Sequence, residues 1–204
     1  MKNSEYWKKE GVQKVFTHPL CDDWIASLDK NACVLDLGCG YGRLTPVLQQ
    51  AGFSNIVGYD SSPALLDRAR KENPGAFYSN VFHSLSGRSF NLILCFALFT
   101  SAPSLEEQKE LVSLIEKVCG NKTYLYISDY ETCDNPAYQT RYQERRLNMY
   151  GCFASGNAIF RHHKPGHFDT LFPEWRKLKE KTLKSRTLNG NEIIIHQYLY
   201  IRSQ

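Results

Sequence analysis

Residues 34–45, VLDLGCGYGRLT, combine residue types and a spacing that could do chemistry. An apolar run carries Asp36, and three glycines follow at alternate positions, Gly38, Gly40 and Gly42. Glycines at this spacing let the backbone turn sharply and approach a ligand closely. A strand that ends in such a turn and opens a helix forms a nucleotide site at the carboxyl edge of a parallel sheet.

The charges beside this loop distinguish between two kinds of nucleotide. The dinucleotide fingerprint is G-x-G-x-x-G, which places a pyrophosphate at a helix N-terminus. In this chain the third glycine comes one residue early, and Arg43 occupies the position of the fingerprint's last glycine. Asp36 would repel a pyrophosphate but suits a cationic ligand. S-adenosyl-L-methionine carries a sulfonium and an ammonium and no phosphate, so the charges favour it over a nicotinamide cofactor.

The chain resembles the class I S-adenosylmethionine-dependent methyltransferases. The loop from Asp36 to Gly42 matches their first motif, and Asp60, 22 residues after Gly38, matches their acidic ribose contact. The apolar run 90–96 matches their fourth strand. The resemblance covers about residues 30–200 and implies an α/β, Rossmann-like, doubly wound sheet of seven strands. Its implied strand order is 3-2-1-4-5-7-6, with strand 7 antiparallel.

The resemblance also assigns residues to the cofactor. Asp36 would orient its methionine end, and Asp60 would accept hydrogen bonds from both ribose hydroxyls. Asn80 stands where the family often has an aspartate that binds the adenine amine. The expected cofactor-binding residues are Asp36, Gly38, Cys39, Gly40, Tyr41, Asp60, Ser61, Asn80 and Phe96.

Methyl transfer is an in-line displacement that requires a well-placed acceptor, and a base only where the acceptor must lose a proton. We expect the acceptor beyond the carboxyl ends of the fourth and fifth strands. The candidate catalytic residues are Asp129, His162 and His163, for which packing or hydrogen-bonding roles stay open. The candidate substrate-binding residues are Tyr6, Trp7, Thr100, Tyr130 and Tyr150; the first two could instead belong to a lid or to the core.

Hydrophobic patterning predicts the elements that must position these residues. One or two helices are expected within residues 4–28. Parallel strands are predicted at 32–37, 55–59, 76–79, 90–96 and 123–128. Helices are predicted at 43–50, at 63–71 after the N-cap Ser62, and after the capping box Ser104–Glu107. Further along, the pattern predicts a polar helix over 135–150, a strand at 158–162, a helical turn within 167–175, and a hairpin of 181–187 and 192–201 around Asn189-Gly190.

These elements fit one domain of 204 residues. We expect a helical lid at 1–29, a cofactor-binding core at 30–130, a substrate-side insertion at 131–180 and a terminal hairpin at 181–204. No apolar run approaches the roughly 20 residues of a membrane span, and the start of the chain lacks a signal-peptide core. We therefore expect a cytoplasmic protein that does not enter membranes.

Charge leaves the class of acceptor open. The net charge is +4, and residues 141–186 alone carry eleven Lys or Arg against four acids. We expect a small-molecule acceptor, since the core is nearly the whole chain. An RNA or protein methyltransferase that uses the basic segment 141–186 is the alternative, and a cofactor-binding protein without turnover is another. The sequence leaves a monomer and a homodimer equally open.

The seven cysteines are scattered and form no CxxC pair. Their number is odd, and several stand inside apolar runs, which is typical of buried reduced thiols. Zinc sites in proteins usually need paired cysteine or histidine spacing. We therefore expect no metal.

Overall fold

The computed structural model describes residues 3–9, 11–143, 146–186 and 190–203. These residues form nine strands: β1 Val34–Leu37, β2 Ile56–Tyr59, β3 Phe77–Ser79, β4 Phe90–Phe96, β5 Cys119–Glu131, β6 Cys152–Ser155, β7 Ala158–Arg161, β8 Arg176–Arg186 and β9 Glu192–Ser203. The α-helices are α1 Ser4–Lys9, α2 Asp22–Ile25, α3 Leu44–Gln50, α4 Pro63–Glu72, α5 Leu105–Lys117, α6 Pro136–Gln143 and α7 His167–Leu171.

Seven of the strands form one sheet in the order β3-β2-β1-β4-β5-β9-β8. Strands β1 to β5 pair in parallel, and β9 pairs antiparallel with both β5 and β8. Strands β6 and β7 form a separate two-stranded sheet. Counted within the large sheet alone, the order is 3-2-1-4-5-7-6; the small sheet only shifts the numbers of the last two strands. The predicted fold class is confirmed.

Two apolar clusters cover the two faces of the sheet. Along β4, Ile93 and Cys95 belong to the cluster under α5 and α7, while Leu92 and Leu94 belong to the cluster under α2 and α3. Successive side chains of a strand point to opposite faces, so a strand covered by helices on both sides must be apolar at every position. Apart from the exposed Asn91, residues 90–96 are apolar and buried, which marks a central strand, as predicted.

The two predicted helix starts are present as hydrogen bonds. The Ser62 hydroxyl accepts from the Leu65 N–H at the start of α4. At α5, the Glu107 N–H donates to the Ser104 hydroxyl at 3.2 Å, and the Ser104 N–H donates to the Glu107 carboxylate at 3.1 Å. These reciprocal bonds satisfy N–H groups that a helix start otherwise leaves unpaired.

The region after β5 differs from the prediction. The polar helix expected over 135–150 ends at Gln143, and Leu147 and Asn148 adopt positive φ angles of 58° and 54°. The chain then turns at Gly151, with φ of 91°, and enters β6, which the pattern did not predict. Strand β6 is only four residues long, and its structure depends on pairing with β7 across the turn at Gly156. Pairing of this kind leaves little periodic signal.

The terminal hairpin is longer than predicted. Strand β8 begins at Arg176 rather than at 181, since it pairs with β9 over its whole length. Its first seven residues are all exposed and mostly charged, so they carry no apolar alternation that could reveal a strand. Of the predicted turn, Asn189 lies outside the described residues, and Gly190 has a φ of 78°.

Candidate active site

The glycine loop joins β1 to α3. Gly38, Gly40 and Gly42 all have positive φ, at 77°, 55° and 74°. A Cβ on Gly42 would lie 2.4 Å from the Tyr78 hydroxyl, and one on Gly38 would lie 2.8 Å from Leu98. Both positions therefore favour glycine for their conformation, and Gly42 also for space, since the Leu98 side chain could move away from a Cβ at residue 38.

Asp60, directly after β2, holds the loop in place. Its Oδ2 accepts a hydrogen bond from the Gly40 N–H at 2.9 Å, and its Oδ1 accepts one from the Ser62 N–H at 2.8 Å. Burial raises the pKa of Asp60, while these two donors oppose that rise. Each carboxylate oxygen accepts more than one hydrogen bond, so both remain available to a ligand hydroxyl.

Asp36 carries a buried carboxylate beside the loop. Its side chain is 2% exposed, and among the described residues its Oδ2 has no hydrogen-bond partner. Burial raises the pKa of Asp36 to about 7; the charge of Arg43 opposes this rise and that of Asp60 adds to it. An unpaired oxygen of this kind in a cleft fits a ligand cation, which would favour the charged carboxylate.

These residues line one cleft, here called the cofactor cleft. Of the predicted cofactor-binding residues, the lining includes Asp36, residues 38–41, Asp60, Ser61 and Phe96. The structure does not bring Asn80 to this cleft; its side chain is exposed after the end of β3. The Ser79 hydroxyl accepts from the Val81 N–H at 3.1 Å and turns the chain away at that point.

Arg43 also lines the cofactor cleft, and the sequence analysis assigned it no role. Its guanidinium carbon lies 5.9 Å from the centre of the Phe96 ring. Burial lowers the pKa of Arg43, and the carboxylate of Asp36 opposes that effect. Arg43 and Asp36 therefore interact electrostatically within the cofactor cleft, which Asp60 also lines. The signal was present in the sequence as a basic residue directly after the third glycine.

A second cleft, here called the acceptor pocket, adjoins the first and shares Trp7, Phe16 and Ala97 with it. Among the predicted substrate-binding and catalytic residues, its lining includes Tyr6, Trp7, Thr100, Tyr130 and His162. The pocket lies beyond the carboxyl ends of β4 and β5. Residues of α6 and of the small sheet β6–β7 also line it and enclose it there.

The lid segment, defined as residues 3–9 and 11–17, contributes to both clefts and is fixed at several points. The Asn3 amide donates to the carbonyls of Ser101 and Ile159 at 3.0 and 2.6 Å. The Arg68 guanidinium of α4 donates to the carbonyls of Val12 and Lys14 at 3.0 and 3.3 Å. Helix α2, which the prediction included in the lid, instead buries its apolar side chains in the core.

His162 lies in the wall of the acceptor pocket. Its Nδ1 is 2.5 Å from the Tyr142 hydroxyl, and its ring stacks on Tyr130 with centroids 5.1 Å apart. The Tyr142 hydroxyl thus engages Nδ1 of the ring rather than Nε2. Burial, and to a smaller extent the charge of Arg141, lowers the pKa of His162 to about 3. The imidazole is therefore neutral near pH 7.

The structure does not bring His163 or Asp129 to either cleft. Neighbours along an extended backbone point to opposite sides, and His163 faces Gln108 of α5, with Nε2 3.1 Å from the amide nitrogen. Asp129 is fully buried and accepts from the backbone N–H groups of Thr100 and Tyr130 at 3.1 and 2.7 Å. Burial raises the pKa of Asp129 to about 7. Asp129 therefore does not face the acceptor pocket, but it accepts hydrogen bonds from the backbone of two residues that line the pocket, Thr100 and Tyr130.

Tyr150 also lies outside the acceptor pocket. It is 37% exposed, donates a hydrogen bond to the Gln139 side chain at 3.1 Å, and lines a separate surface cavity beside Lys164. Tyr150 was expected in the pocket as part of the region beyond the carboxyl ends of the fourth and fifth strands. Because α6 ends at Gln143, the chain leaves the pocket before it reaches this tyrosine.

The described ranges of the chain contain no cluster of three or more His, Cys, Asp or Glu side chains arranged to hold a metal ion. None of their helices combines the length and the apolar character needed to cross a membrane.

The doubly wound sheet, the glycine loop after β1 and the acid after β2 together define the class I fold of S-adenosylmethionine-dependent methyltransferases, as predicted. A family model for the methyltransferase domain matches residues 13–182, and the chain belongs to this family. A curated relative, an uncharacterized methyltransferase-like protein of Schizosaccharomyces pombe, is 29% identical over 100 residues. That match covers 46% of this chain and only 39% of the relative.

Solved structures share the fold at low identity. An S-adenosylmethionine-dependent methyltransferase of Methanosarcina mazei superposes with a TM-score of 0.80 at 20% identity, over 90% of this chain and 98% of the other. Magnesium protoporphyrin IX methyltransferase of Synechocystis, with bound S-adenosylhomocysteine, gives 0.66 at 14% identity over 96% of each chain. The 1,6-didemethyltoxoflavin-N1-methyltransferase of Burkholderia thailandensis gives 0.67 at 14% identity, over 97% of this chain and 84% of the other.

Proposed function

We propose that the protein transfers a methyl group from S-adenosylmethionine to a small molecule in the acceptor pocket. The observation that carries this proposal is the junction of the two clefts. Trp7, Phe16 and Ala97 line both, so ligands in the two clefts would meet beside these residues. In-line transfer needs this arrangement, because the acceptor atom must approach the methyl group from the side opposite the departing sulfur.

The charges of the cofactor cleft fit the proposed cofactor. The methionine end of S-adenosylmethionine carries an ammonium and a carboxylate. The unpaired Oδ2 of Asp36 suits the ammonium, and Arg43 suits the carboxylate. Asp60 would accept the ribose hydroxyls, with Gly38, Cys39, Gly40, Tyr41, Ser61 and Phe96 around the remaining surface. The cofactor supplies the electrophilic methyl group, and these residues bind and orient it.

On the acceptor side, we assign positioning to Tyr6, Trp7, Thr100 and Tyr130. His162 presents a neutral imidazole that can accept a hydrogen bond from an acceptor hydroxyl or ammonium; because its pKa is lowered to about 3, it is a weak base, so we assign it positioning rather than proton removal. Asp129 acts through its hydrogen bonds to Thr100 and Tyr130, as a positioning residue.

The distribution of basic residues favours a small acceptor over RNA. The cations of β8 are exposed along its whole length, from Arg176, opposite Ile201, to Arg186, opposite Glu192. None of them is among the described residues that line the acceptor pocket. Lysines along an edge strand also prevent pairing with other sheets, which explains them without nucleic acid. One structural neighbour holds 1,6-didemethyltoxoflavin, a small molecule, together with S-adenosylhomocysteine.

Calorimetry with S-adenosylhomocysteine tests the cofactor. We expect micromolar binding that Asp60→Ala abolishes, while Asp67→Ala, which removes an exposed carboxylate of α4, leaves it unchanged. NADH should not compete. Absence of binding to the unaltered protein, or equal binding by the Asp60 variant, would contradict the assignment.

Turnover needs a second experiment, since binding alone fits a protein without catalysis. The protein is incubated with methyl-labelled S-adenosylmethionine and a metabolite extract, and the products are separated by size. Label in a small product supports the proposal. Label found only in added RNA or protein would support the alternative that uses residues 141–186. Absence of any labelled product would indicate a protein that binds the cofactor without catalysing transfer.

A further inference from the structure

The lining of the acceptor pocket has an unusual charge composition. Of the sixteen described residues that form it, seven are aromatic and two, Lys14 and Arg141, are cations, while none is Asp or Glu. His162 adds a neutral imidazole, because burial lowers its pKa to about 3. The pocket therefore offers flat apolar surfaces together with positive charge.

Arg141, in the last turn of α6, is held against these surfaces. Its guanidinium carbon lies 5.0 Å from the centre of the Phe153 ring and 5.7 Å from that of Tyr138. One nitrogen donates to the Ala154 carbonyl at 3.4 Å. Among the described residues Arg141 forms no ion pair. A guanidinium fixed in this way keeps several N–H donors available for a planar anion.

The positive charge of Arg141 affects the pKa of two residues in the wall of the acceptor pocket, His162 and Tyr138. Its charge contributes to the lowered pKa of His162, after burial, and it opposes the burial that raises the pKa of the Tyr138 hydroxyl. Lys14 brings a second cation from the lid segment, with its ammonium 5.9 Å from the centre of the Tyr6 ring. The two positive charges thus come from separate elements that meet at one pocket.

We propose that the methyl acceptor is a planar aromatic acid, whose ring lies among the aromatic side chains and whose carboxylate is bound by Arg141 with help from Lys14. This rests on the proposed function, since the acceptor must occupy this pocket. Aromatic walls also bind organic cations, but Lys14 and Arg141 would repel such a ligand, and no lining carboxylate offsets that repulsion.

Matched pairs of probes test the charge preference on the unaltered protein. The protein is saturated with S-adenosylhomocysteine and titrated with 4-hydroxybenzoate, indole-3-carboxylate and quinoline-2-carboxylate, each against its neutral methyl ester and all against trimethylanilinium. We expect at least one acid to bind about tenfold or more tightly than its ester, the scale of one charge-assisted hydrogen bond. Equal binding of every acid and ester, or tighter binding of the cation, would overturn the proposal.

Variants assign the effect to Arg141. We expect Arg141→Gln to weaken binding of the tightest-binding acid about tenfold, and Arg141→Lys to weaken its binding less. The control Lys109→Gln, which removes an exposed cation of α5, should not change this affinity. Binding of S-adenosylhomocysteine is measured for each variant. If it persists and Arg141→Gln binds the acid normally, the aromatic-acid proposal is wrong and the methyltransferase proposal stands. If the unaltered protein binds no S-adenosylhomocysteine, the proposed function itself fails.

Discussion

The carboxylate of Asp60 accepts a hydrogen bond from the Gly40 N–H at 2.9 Å, which joins the residue after β2 to the turn after β1. Its second oxygen accepts the Ser62 N–H at 2.8 Å, two residues further along the chain. One side chain therefore fixes both loops that border the cofactor cleft before any ligand binds. A ribose contact placed in this way is already oriented, which reduces the entropy lost on binding.

Asp60→Asn should destabilise the protein even without ligand. An amide has one acceptor oxygen, so one of the N–H groups of Gly40 and Ser62 would face an NH₂ group instead. We expect a loss of about 1–3 kcal/mol in the free energy of unfolding, measured by urea denaturation. Asp67→Asn, at an exposed position, should change it by less than about 0.5 kcal/mol. Equal effects of the two variants would mean that these bonds do not hold the loops.

The affinity for S-adenosylhomocysteine should depend on pH through Asp36. Burial raises the pKa of Asp36 to about 7, so in the free protein this carboxyl becomes neutral as the pH falls below 7 and loses its attraction for the ligand ammonium. We expect Kd to rise about tenfold between pH 8 and pH 6. Calorimetry across this range measures it, with Asp36→Asn as control. The variant should bind weakly and with a flat profile; a variant that keeps the slope would exclude Asp36 as its origin.

The same shift predicts the sign of a stability change in the free protein. A carboxyl whose pKa is raised on folding binds more protons in the native state between its ordinary pKa, near 4, and about 7. Stability contributed by Asp36 is therefore fully present below about pH 4 and is lost progressively as the pH rises to about 7; Asp129 acts in the same direction. Asp36→Asn should flatten the dependence of the unfolding free energy on pH between 5 and 8, and an unchanged slope would refute this.

Comparing Gly42→Ala with Gly75→Ala distinguishes two causes of destabilisation, which are a steric clash of the added Cβ and the strain of a positive φ angle. Both glycines have positive φ, of 74° and 93°, but a Cβ at residue 42 would meet the Tyr78 hydroxyl, whereas one at residue 75 would meet no atom within 4 Å. Tyr78 is buried and its hydroxyl lies 2.8 Å from that of Thr45, so it has little room to move. We expect about 1 kcal/mol of destabilisation at residue 75 and about 2–4 kcal/mol at residue 42. Thermal and urea unfolding give the comparison, and similar losses at both positions would contradict the crowding.

Ser104→Ala should remove one half of the capping box at the start of α5. The Ser104 hydroxyl accepts the Glu107 N–H at 3.2 Å, and alanine leaves this donor without its partner. We expect a loss of about 1 kcal/mol in the free energy of unfolding, with binding of S-adenosylhomocysteine unchanged. Ser86→Ala, an exposed serine outside any helix start, serves as control and should be neutral. A neutral Ser104 variant would show that solvent replaces the cap.

Local signals explain why the cofactor side could be predicted. The glycines at 38, 40 and 42 adopt conformations that other residues rarely take, so their positions mark the loop directly. Strand β4 is apolar at every position except the exposed Asn91, because helices cover both of its faces. The acceptor side offered fewer such signals. His162 and His163 are adjacent and chemically identical, and only their places in the fold assign one to the pocket and the other to Gln108.

By itself, the sequence determined which segments form the parallel strands, the helix starts at Ser62 and Ser104, and the Asp36-glycine-Asp60 set, since each has a local signal. The order of the strands in the sheet followed from the resemblance to a known family. Only the tertiary structure decided that α6 ends at Gln143, that β6 exists, and that Lys14 and Arg141 meet at one pocket of aromatic side chains. Lys14 and Arg141 stand more than 100 residues apart in the chain, and β6 depends on its pairing with β7 rather than on a pattern of its own. No local pattern encodes these contacts, because they arise when separate elements fold against the same edge of the sheet.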